Sequence, residues 1–185
     1  MKFARFQRIV TAIVFATLCS LSSLADATTA LFLSREELVR ISDVIVRVKV
    51  GKATHGESED KRALLTNTVL EVTQYLKGTG SSHLVVQQFG GKYNGKIQKV
   101  MGDGRLATGE DAIVFLKRGE NGRVYLSVLS QSVYHVDDKG MARRNLEGLV
   151  LMKKSGDSIQ PIKVVEHAET VESLMTDIRR LASAH

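Results

Sequence analysis

One stretch of the chain, "HGESED", brings an imidazole and three carboxylates together within a few residues. The groups belong to His55, Glu57, Glu59 and Asp60. Carboxylate oxygens suit calcium and magnesium, and imidazole suits transition metals, so the residue types allow a cation site. Their spacing does not, because a calcium loop alternates oxygen donors over about twelve residues and a zinc site takes several ligands from ordered elements. We predict a solvated connection between strands and assign no metal ligand.

The other histidines offer further acid–base chemistry. His83 and His135 lie in apparent strands, His167 precedes the last predicted helix, and His185 is the final printed residue. No histidine stands in a His-Glu-x-x-His motif, and no serine stands in a Gly-x-Ser-x-Gly turn. Triads are recognised by geometry rather than by order, so a hydrolase that uses His83 or His135 stays open. We predict a protein that is not an enzyme, with no catalytic and no cofactor-binding residue.

Two glycine-rich stretches, "FGGKYNGK" and "MGDGRLATGE", have a composition common in phosphate-binding loops. Neither follows a strand and opens a helix with the lysine and hydroxyl of a P-loop, so we predict turns. Aromatic residues at strand positions could instead stack on single-stranded nucleic acid. They are Phe89, Tyr93, Phe115, Tyr125 and Tyr134. Because aromatics in strands are more often core residues, we predict that they pack inside and that no nucleic acid is bound.

The elements that must position these residues begin after an N-terminal targeting segment. Three basic residues come first, namely Lys2, Arg5 and Arg8. They precede an apolar run from Ile9 to Leu18, and the "ADA" that ends at Ala27 offers a small-x-small cleavage site, with cleavage after Ala30 as the alternative. We predict a signal peptide over residues 1–27 and export to the periplasm or outside the cell. A retained anchor helix is the alternative, but the run is shorter than the ~20 residues of a membrane span.

Composition narrows the classes further. The single cysteine, Cys19, lies in the predicted signal peptide, so the exported chain would have no disulfide, thiol nucleophile or zinc thiolate. Removing residues 1–27, with three basic residues and one acidic residue, lowers the formal net charge from +6 to +4. The remaining basic residues are scattered in pairs, which favours a mixed-charge surface over a nucleic-acid or anionic-membrane footprint. Residues 28–185 have the length of one domain.

Alternating valines predict the strand that leads into the His55 stretch. Val44, Val46, Val48 and Val50 alternate with Ile45, Arg47 and Lys49 before Gly51. This period of two places one face of the strand on a core and the other face in water. "HGESEDKR" then mixes glycine, serine and both charges, the composition of an inter-strand loop.

Further apolar runs predict more strands joined by short turns. They are "ALLTNTVLEVTQYLKG", "HLVVQQF", "DAIVFLKR", "RVYLSVLSQSVYHV", "GLVLMKK" and "IQPIKVVE". Asn94-Gly95 and "GENG" predict hairpin turns, the latter with all of "RVYLSVLSQSVYHV" as its second arm. Gly78 predicts a turn with positive φ after the second strand, and Pro161 predicts an edge position for the last one.

A helix is predicted at each end of these strands. Ser34 and Glu37 form the pattern of a capping box at the start of the first helix. Thr170 is the predicted cap of the second, whose apolar residues recur at helical spacing. They are Val171, Leu174, Met175, Ile178 and Leu181. We predict that this amphipathic helix packs on the sheet, with partner docking as the alternative.

The order of these pieces, from about Ser34 to Val136, resembles the netrin-like module shared by netrin C-termini and the tissue inhibitors of metalloproteinases. The similarity lies in Ser42-Asp43 before the valine-rich strand, in Leu76-Lys77-Gly78, and in the hairpin turn at Glu120-Asn121-Gly122. The resemblance implies a mainly β fold, an OB-like partly open antiparallel barrel, with a short N-terminal helix and an amphipathic C-terminal helix. The inhibitors' N-terminal cysteine and the animal members' disulfides are absent, and the chain looks more like exported bacterial proteins of unknown function.

We therefore expect a signal peptide over 1–27 and a single netrin-like β domain over 28–185, with a hairpin and helix near its C-terminal end. The expected function is that of an exported, non-enzymatic binding module whose partner is a protein or glycan outside the cytoplasm. No cofactor, nucleic acid or stable membrane span after processing is expected. A protease inhibitor of netrin-like type and a hydrolase with an unrecognised site are the alternatives.

Overall fold

The computed structural model describes residues 28–156 and 158–184. The predicted signal peptide, with its cleavage site, lies outside the described residues. No helix in the described part is long and apolar enough to cross a membrane.

The described residues form thirteen strands, two α-helices and one short 3-10 helix. In chain order the strands and α-helices are β1 Thr28–Leu31, α1 Arg35–Ile41, β2 Val44–Glu57, β3 Leu64–Lys77, β4 His83–Phe89, β5 Gly91–Tyr93, β6 Lys96–Gln98, β7 Asp111–Arg118, β8 Val124–Leu126, β9 Val133–Val136, β10 Met141–Arg144, β11 Leu149–Ser155, β12 Ser158–Pro161, β13 Glu169–Thr170 and α2 Val171–Ser183. The 3-10 helix is Leu129–Ser132.

Five strands close into a barrel in the order β7–β2–β3–β4–β8, with β8 returning to β7. Neighbours are antiparallel except for β4 and β8, which run parallel and meet through one residue pair, Val86 with Val124. This confirms the predicted OB-like barrel with one helix near each end of the described chain. The ring is closed, but β4 and β8 are joined by only one residue pair. We call this junction the seam of the barrel.

The barrel interior holds the alternating valines of β2. Val44, Val46, Val48 and Val50 are all buried in one cluster with residues of β3, β4 and β7. The opposite face of β2 was expected to face water, and for Ile45 that expectation is wrong. Ile45 is fully buried in a second core, between the outside of the barrel and the two helices. The predicted stripe of α2 forms this core, which accounts for the second buried face.

Strand β2 is longer than its valine pattern predicts. It continues past Gly51 to Glu57, and it shifts register against β3 between Val50 and Ala53. His55 pairs with Thr66 across the ladder, so the predicted inter-strand loop is wrong for its first half. The ladder with β3 supplies backbone partners that composition alone does not reveal, and it leaves only residues 58–63 as the connection.

The predicted second arm of the "GENG" hairpin is also corrected. "RVYLSVLSQSVYHV" is divided into β8, the 3-10 helix and β9, and both strands pair with the same edge of β7 at different heights. The Ser132 hydroxyl accepts a hydrogen bond from the Val128 amide at 2.5 Å, and buried Gln131 bonds to Leu31 and Leu33. This interruption lets β8 close the barrel while β9 continues into β10 and away from it.

Several local predictions are confirmed. The Ser34–Glu37 capping box is present, and the Thr170 hydroxyl caps α2. Gly78 has φ of +75°, and a Cβ there would lie 2.9 Å from the Asp43 carbonyl oxygen. Asn94 and Gly95 form the hairpin turn between β5 and β6. Strand β12, which ends at Pro161, is the edge of a small sheet in the order β1–β11–β12.

Candidate functional site

The charged groups of the "HGESED" stretch are bonded to separate protein partners. The His55 ring contacts the Thr66 hydroxyl at 2.9 Å, and Lys96 donates to Glu57 at 2.7 Å. This bond lowers the pKa of Glu57, as the hydrogen bond from Ser58 lowers that of Asp60. Within residues 28–156 and 158–184 no group of three or more His, Cys, Asp or Glu is arranged to hold a metal ion.

Of the other histidines, His135 alone among the described ones has a carboxylate partner. His83 and His167 are exposed, and His185 lies outside the described residues. The His135 Nδ1 atom lies 3.1 Å from Glu110 Oε1, and both side chains are about one quarter exposed, at 22% and 28%. His135 is thus oriented by a carboxylate, whereas, among the described residues, the His83 ring contacts only the hydroxyl of Ser82.

Hydrogen bonds to the main chain hold Glu110 in place beside His135. Glu110 ends the turn before β7, where its Oε2 accepts a hydrogen bond from the Ala107 amide at 2.9 Å. Its main chain is bound to Val50 of β2, so the carboxylate is fixed relative to the barrel. Because an ionised carboxylate only accepts hydrogen bonds, His135 Nδ1 carries the proton in the pair. In the neutral imidazole Nε2 is then an acceptor, and in the imidazolium it becomes a second donor.

Two arginines share clefts with this pair. Arg143 stands directly opposite His135 in the β9–β10 ladder, so the two side chains lie on the same face. Glu110, His135 and Arg143 line two adjoining clefts of about 380 and 410 Å³, and Arg105 lines the first of them. Both arginines are exposed, and among the described residues neither forms an ion pair.

The opposite face of β10 anchors the wall of the first cleft. Arg144 is only 6% exposed and forms a two-pronged ion pair with Glu166. Its guanidinium also lies over the rings of Phe32 and Tyr134, at 5.5 and 5.4 Å from their centroids. The adjacent arginines therefore differ: Arg144 is neutralised inside the protein, and Arg143 presents its charge to solvent.

The sequence prediction missed Glu110, Arg105 and Arg143. Arg143-Arg144 is visible in the sequence as a basic pair, but the pair does not reveal which member is neutralised. Period-two alternation in β10 would have placed the two arginines on opposite faces once the strand was known. Glu110 carries no local signal, because its partner lies 25 residues further along the chain.

The other sequence candidates have mixed outcomes. Phe115 and Tyr134 are buried and pack against each other at 5.8 Å between ring centroids. The core prediction is wrong for Phe89 and Tyr93, which are 60% and 37% exposed. Tyr125 is half-buried. The glycine-rich stretches are turns and the short β5–β6 hairpin, as predicted.

Comparison with known proteins gave no match, either to a protein-family model or to a curated protein. The netrin-like resemblance therefore stays a prediction that rests on strand and turn patterns.

Proposed function

We propose that the protein is an exported, non-enzymatic binding module that holds an anionic group of its partner between Arg105, Arg143 and His135. The anionic group is a carboxylate or phosphate carried by a protein or glycan outside the cytoplasm. The observation that carries the proposal is a pair of arginines with no counter-ion among the described residues, in the cleft where His135 is held by Glu110. Arginine presents several donors in a planar fork that matches such anions.

Ion pairs among the residues that line the first cleft determine whether the cleft prefers an anionic or a cationic ligand. The formal charges of the lining arginines and glutamates balance, but Arg144 and Glu166 neutralise each other. Glu110 accepts from Ala107 and from His135, so its negative charge is partly compensated as well. In the first cleft Arg105 and Arg143 remain against one exposed carboxylate, Glu147, and the adjoining cleft adds a second, Asp137. An anion bound between the arginines would supply the counter-charge that the described protein does not.

Export is supported by the N-terminal sequence, where basic residues precede the apolar run from Ile9 to Leu18. A nucleic-acid ligand is not part of the proposal, because the basic residues are scattered and an exported protein seldom meets nucleic acid. The inhibitor hypothesis stays a prediction from the netrin-like resemblance alone.

Calorimetric titration of the protein at low ionic strength tests the anion site. The probes are inorganic phosphate, citrate, a glutamate-rich peptide and a uronate oligosaccharide, so that protein-borne and glycan-borne anions are compared. We expect Arg143→Gln to weaken binding of the best probe about ten-fold, the effect of losing one charge-assisted contact. Arg179→Gln removes an equally exposed charge from α2 and should leave binding unchanged. Equal loss in both variants would show only general charge attraction and would refute the site.

A hydrolase is the second candidate, because a histidine oriented by a carboxylate is the arrangement of a general base. No serine, threonine or cysteine is among the described residues that line the two clefts, so water would be the nucleophile. Ester and phosphoester substrates should then be turned over, and His135→Gln should abolish turnover while Arg143 still binds the anion. Binding without turnover in the wild-type protein would favour the module.

A further inference from the structure

The seam of the barrel contains another cleft, whose lining differs from that of the two adjoining clefts around His135. Strands β4 and β8 pair in the ladder only at Val86 and Val124. The space between them is a cleft of about 200 Å³. Its walls are Gln87, Gln88 and Phe89 of β4, Tyr125 and Leu126 of β8, and Val100, Asp103 and Leu129 from the adjoining segments. This lining contains one ionisable carboxylate and no basic residue.

Asp103 is a partly buried carboxylate whose hydrogen-bond partners in the described part of the chain are neutral. Its Oδ1 accepts from the Gly104 amide at 2.8 Å, and its Oδ2 accepts from Gln88 Nε2 at 3.0 Å. Burial raises the pKa of Asp103, and these two hydrogen bonds offset only part of that effect. An ionised carboxylate has about four lone-pair positions, so it can accept more than these two bonds. Removing a charge from water without an opposite charge costs free energy.

Two basic residues close in sequence to the cleft lining form no ion pair with Asp103: Arg105 lines the anion cleft, and Arg123 is bonded elsewhere. Arg123 donates to Gln87 Oε1 at 3.3 Å and pairs with Glu59 at 3.6 Å. In the described part of the chain, Asp103 forms no ion pair with it or with any other basic residue. The cleft therefore has a negative charge that the described fold does not neutralise.

Aromatic rings border this charge. Phe89 is 60% exposed although it ends a barrel strand, and Tyr125 lines the same cleft from the opposite side of the seam. The face of an aromatic ring attracts a cation, and the attraction is larger where water is excluded. A carboxylate beside aromatic rings disfavours an anion and offers a cation both charge and ring contacts.

We propose that the seam cleft between β4 and β8 binds a cationic nitrogen group, an ammonium or guanidinium, with Asp103 as its counter-ion and Phe89 as a ring contact. This site is separate from the proposed anion site and opposite to it in charge. Typical sites for whole small molecules measure about 300–1,000 Å³, so this smaller cleft takes a head group. The group is carried either by a free amine or by a lysine or arginine side chain of a polypeptide.

Titration of the protein with methylguanidinium, followed by NMR chemical shifts, tests the charge requirement. Methylurea is a neutral probe of nearly the same shape and should bind about ten-fold more weakly. Asp103→Asn removes the charge and keeps a side chain of the same size, and it should weaken methylguanidinium binding about ten-fold. Asp138→Asn, at an exposed turn position, is the matched control and should change nothing. Phe89→Leu alters an exposed ring without opening the core and should weaken binding several-fold.

The source of the cation is distinguished by two further probes. A lysine-containing tripeptide with blocked ends is compared with methylammonium. Tighter binding of the peptide assigns the site to a polypeptide side chain, and equal binding assigns it to a free amine; both results support a cation site. Equal binding of methylurea and methylguanidinium, or undiminished binding in Asp103→Asn, would overturn it. If Asp103→Asn did not fold, the neutral probe and Phe89→Leu would still decide the question.

Discussion

The cleft beside β9 and β10 and the cleft at the barrel seam carry unmatched charges of opposite sign. In the first, Arg105 and Arg143 have no carboxylate partner among the described residues, while His135 is fixed by Glu110. In the second, Asp103 accepts from two neutral donors and pairs with no cation within residues 28–156 and 158–184. The first lining is almost entirely polar, and the second is largely aromatic and aliphatic. Two ligand groups of different chemistry therefore suit two places on one barrel.

Both clefts include residues from outside the regular strand ladder. Glu110 belongs to the turn before β7, and β9 and β10 extend beyond the barrel. Asp103 belongs to the glycine-rich segment that lines the cleft at the seam. On the β2–β7 ladder, Arg47 and Asp111 are diagonal neighbours and pair at 2.7 Å.

The largest expected effect comes from breaking the Arg144–Glu166 ion pair in the wall of the first cleft. It also tests whether ligand binding at the seam is independent of that wall. Arg144→Ala should destabilise the fold by about 3 kcal/mol, because it leaves Glu166 without its buried partner. Urea unfolding measures the change. Arg47→Ala breaks a more exposed ion pair and should cost less than about 1 kcal/mol. Folded Arg144→Ala protein should still bind methylguanidinium; simultaneous loss of that binding would contradict the independence of the two clefts.

The next effect concerns the unmatched charge of Asp103. Its folded-state pKa is raised by burial, so the ionised group destabilises the fold above that pKa. Asp103→Asn should therefore raise stability at pH 7, by less than about 1 kcal/mol because the carboxylate keeps hydrogen bonds and some water. The gain should shrink as pH falls through the folded pKa and vanish below the unfolded value near ~3.9, where both forms are neutral.

Thermal melts of both proteins across this pH range measure the difference. Asp138→Asn, the exposed control, should show no such pH-dependent gain. A variant that is less stable than wild type at pH 7 would mean that the hydrogen bonds from Gln88 and Gly104 outweigh the buried charge. The seam would then be a structural turn, and its contrast with the arginine cleft would disappear.

Features that depend on neighbouring residues were predictable from the sequence. The Ser34 cap, the Asn94-Gly95 turn and the positive φ of Gly78 each follow from one residue type and its immediate context. The α2 stripe follows from helical period alone. The barrel itself could be inferred because valine alternation and turn residues agreed with one another and with the netrin-like order of elements.

Features that depend on distant partners were not predictable. Ile45 was expected in water because strand alternation does not show that a helix 126 residues later covers the second face. His55 was placed in a loop because composition does not show the ladder with Thr66. The two clefts depend on pairs such as Glu110 with His135 and Gln88 with Asp103, which only the closed barrel brings together.

The smallest expected effect tests whether the first cleft prefers an anion. Glu147 is an exposed carboxylate in the lining that holds Arg105 and Arg143, and it opposes an incoming anion. Glu147→Gln should tighten binding of the best anionic probe about two- to five-fold, because exposed charges interact by about 0.5–1 kcal/mol. Added salt should reduce this gain, since it screens exposed charges.

Glu120→Gln, in the turn after β7, makes the same change in net charge and should leave anion binding unchanged. Methylguanidinium binding at the seam should be the same in both variants. Weaker anion binding in Glu147→Gln would mean that Glu147 helps to hold the ligand, and the first cleft would then not be selective for anions.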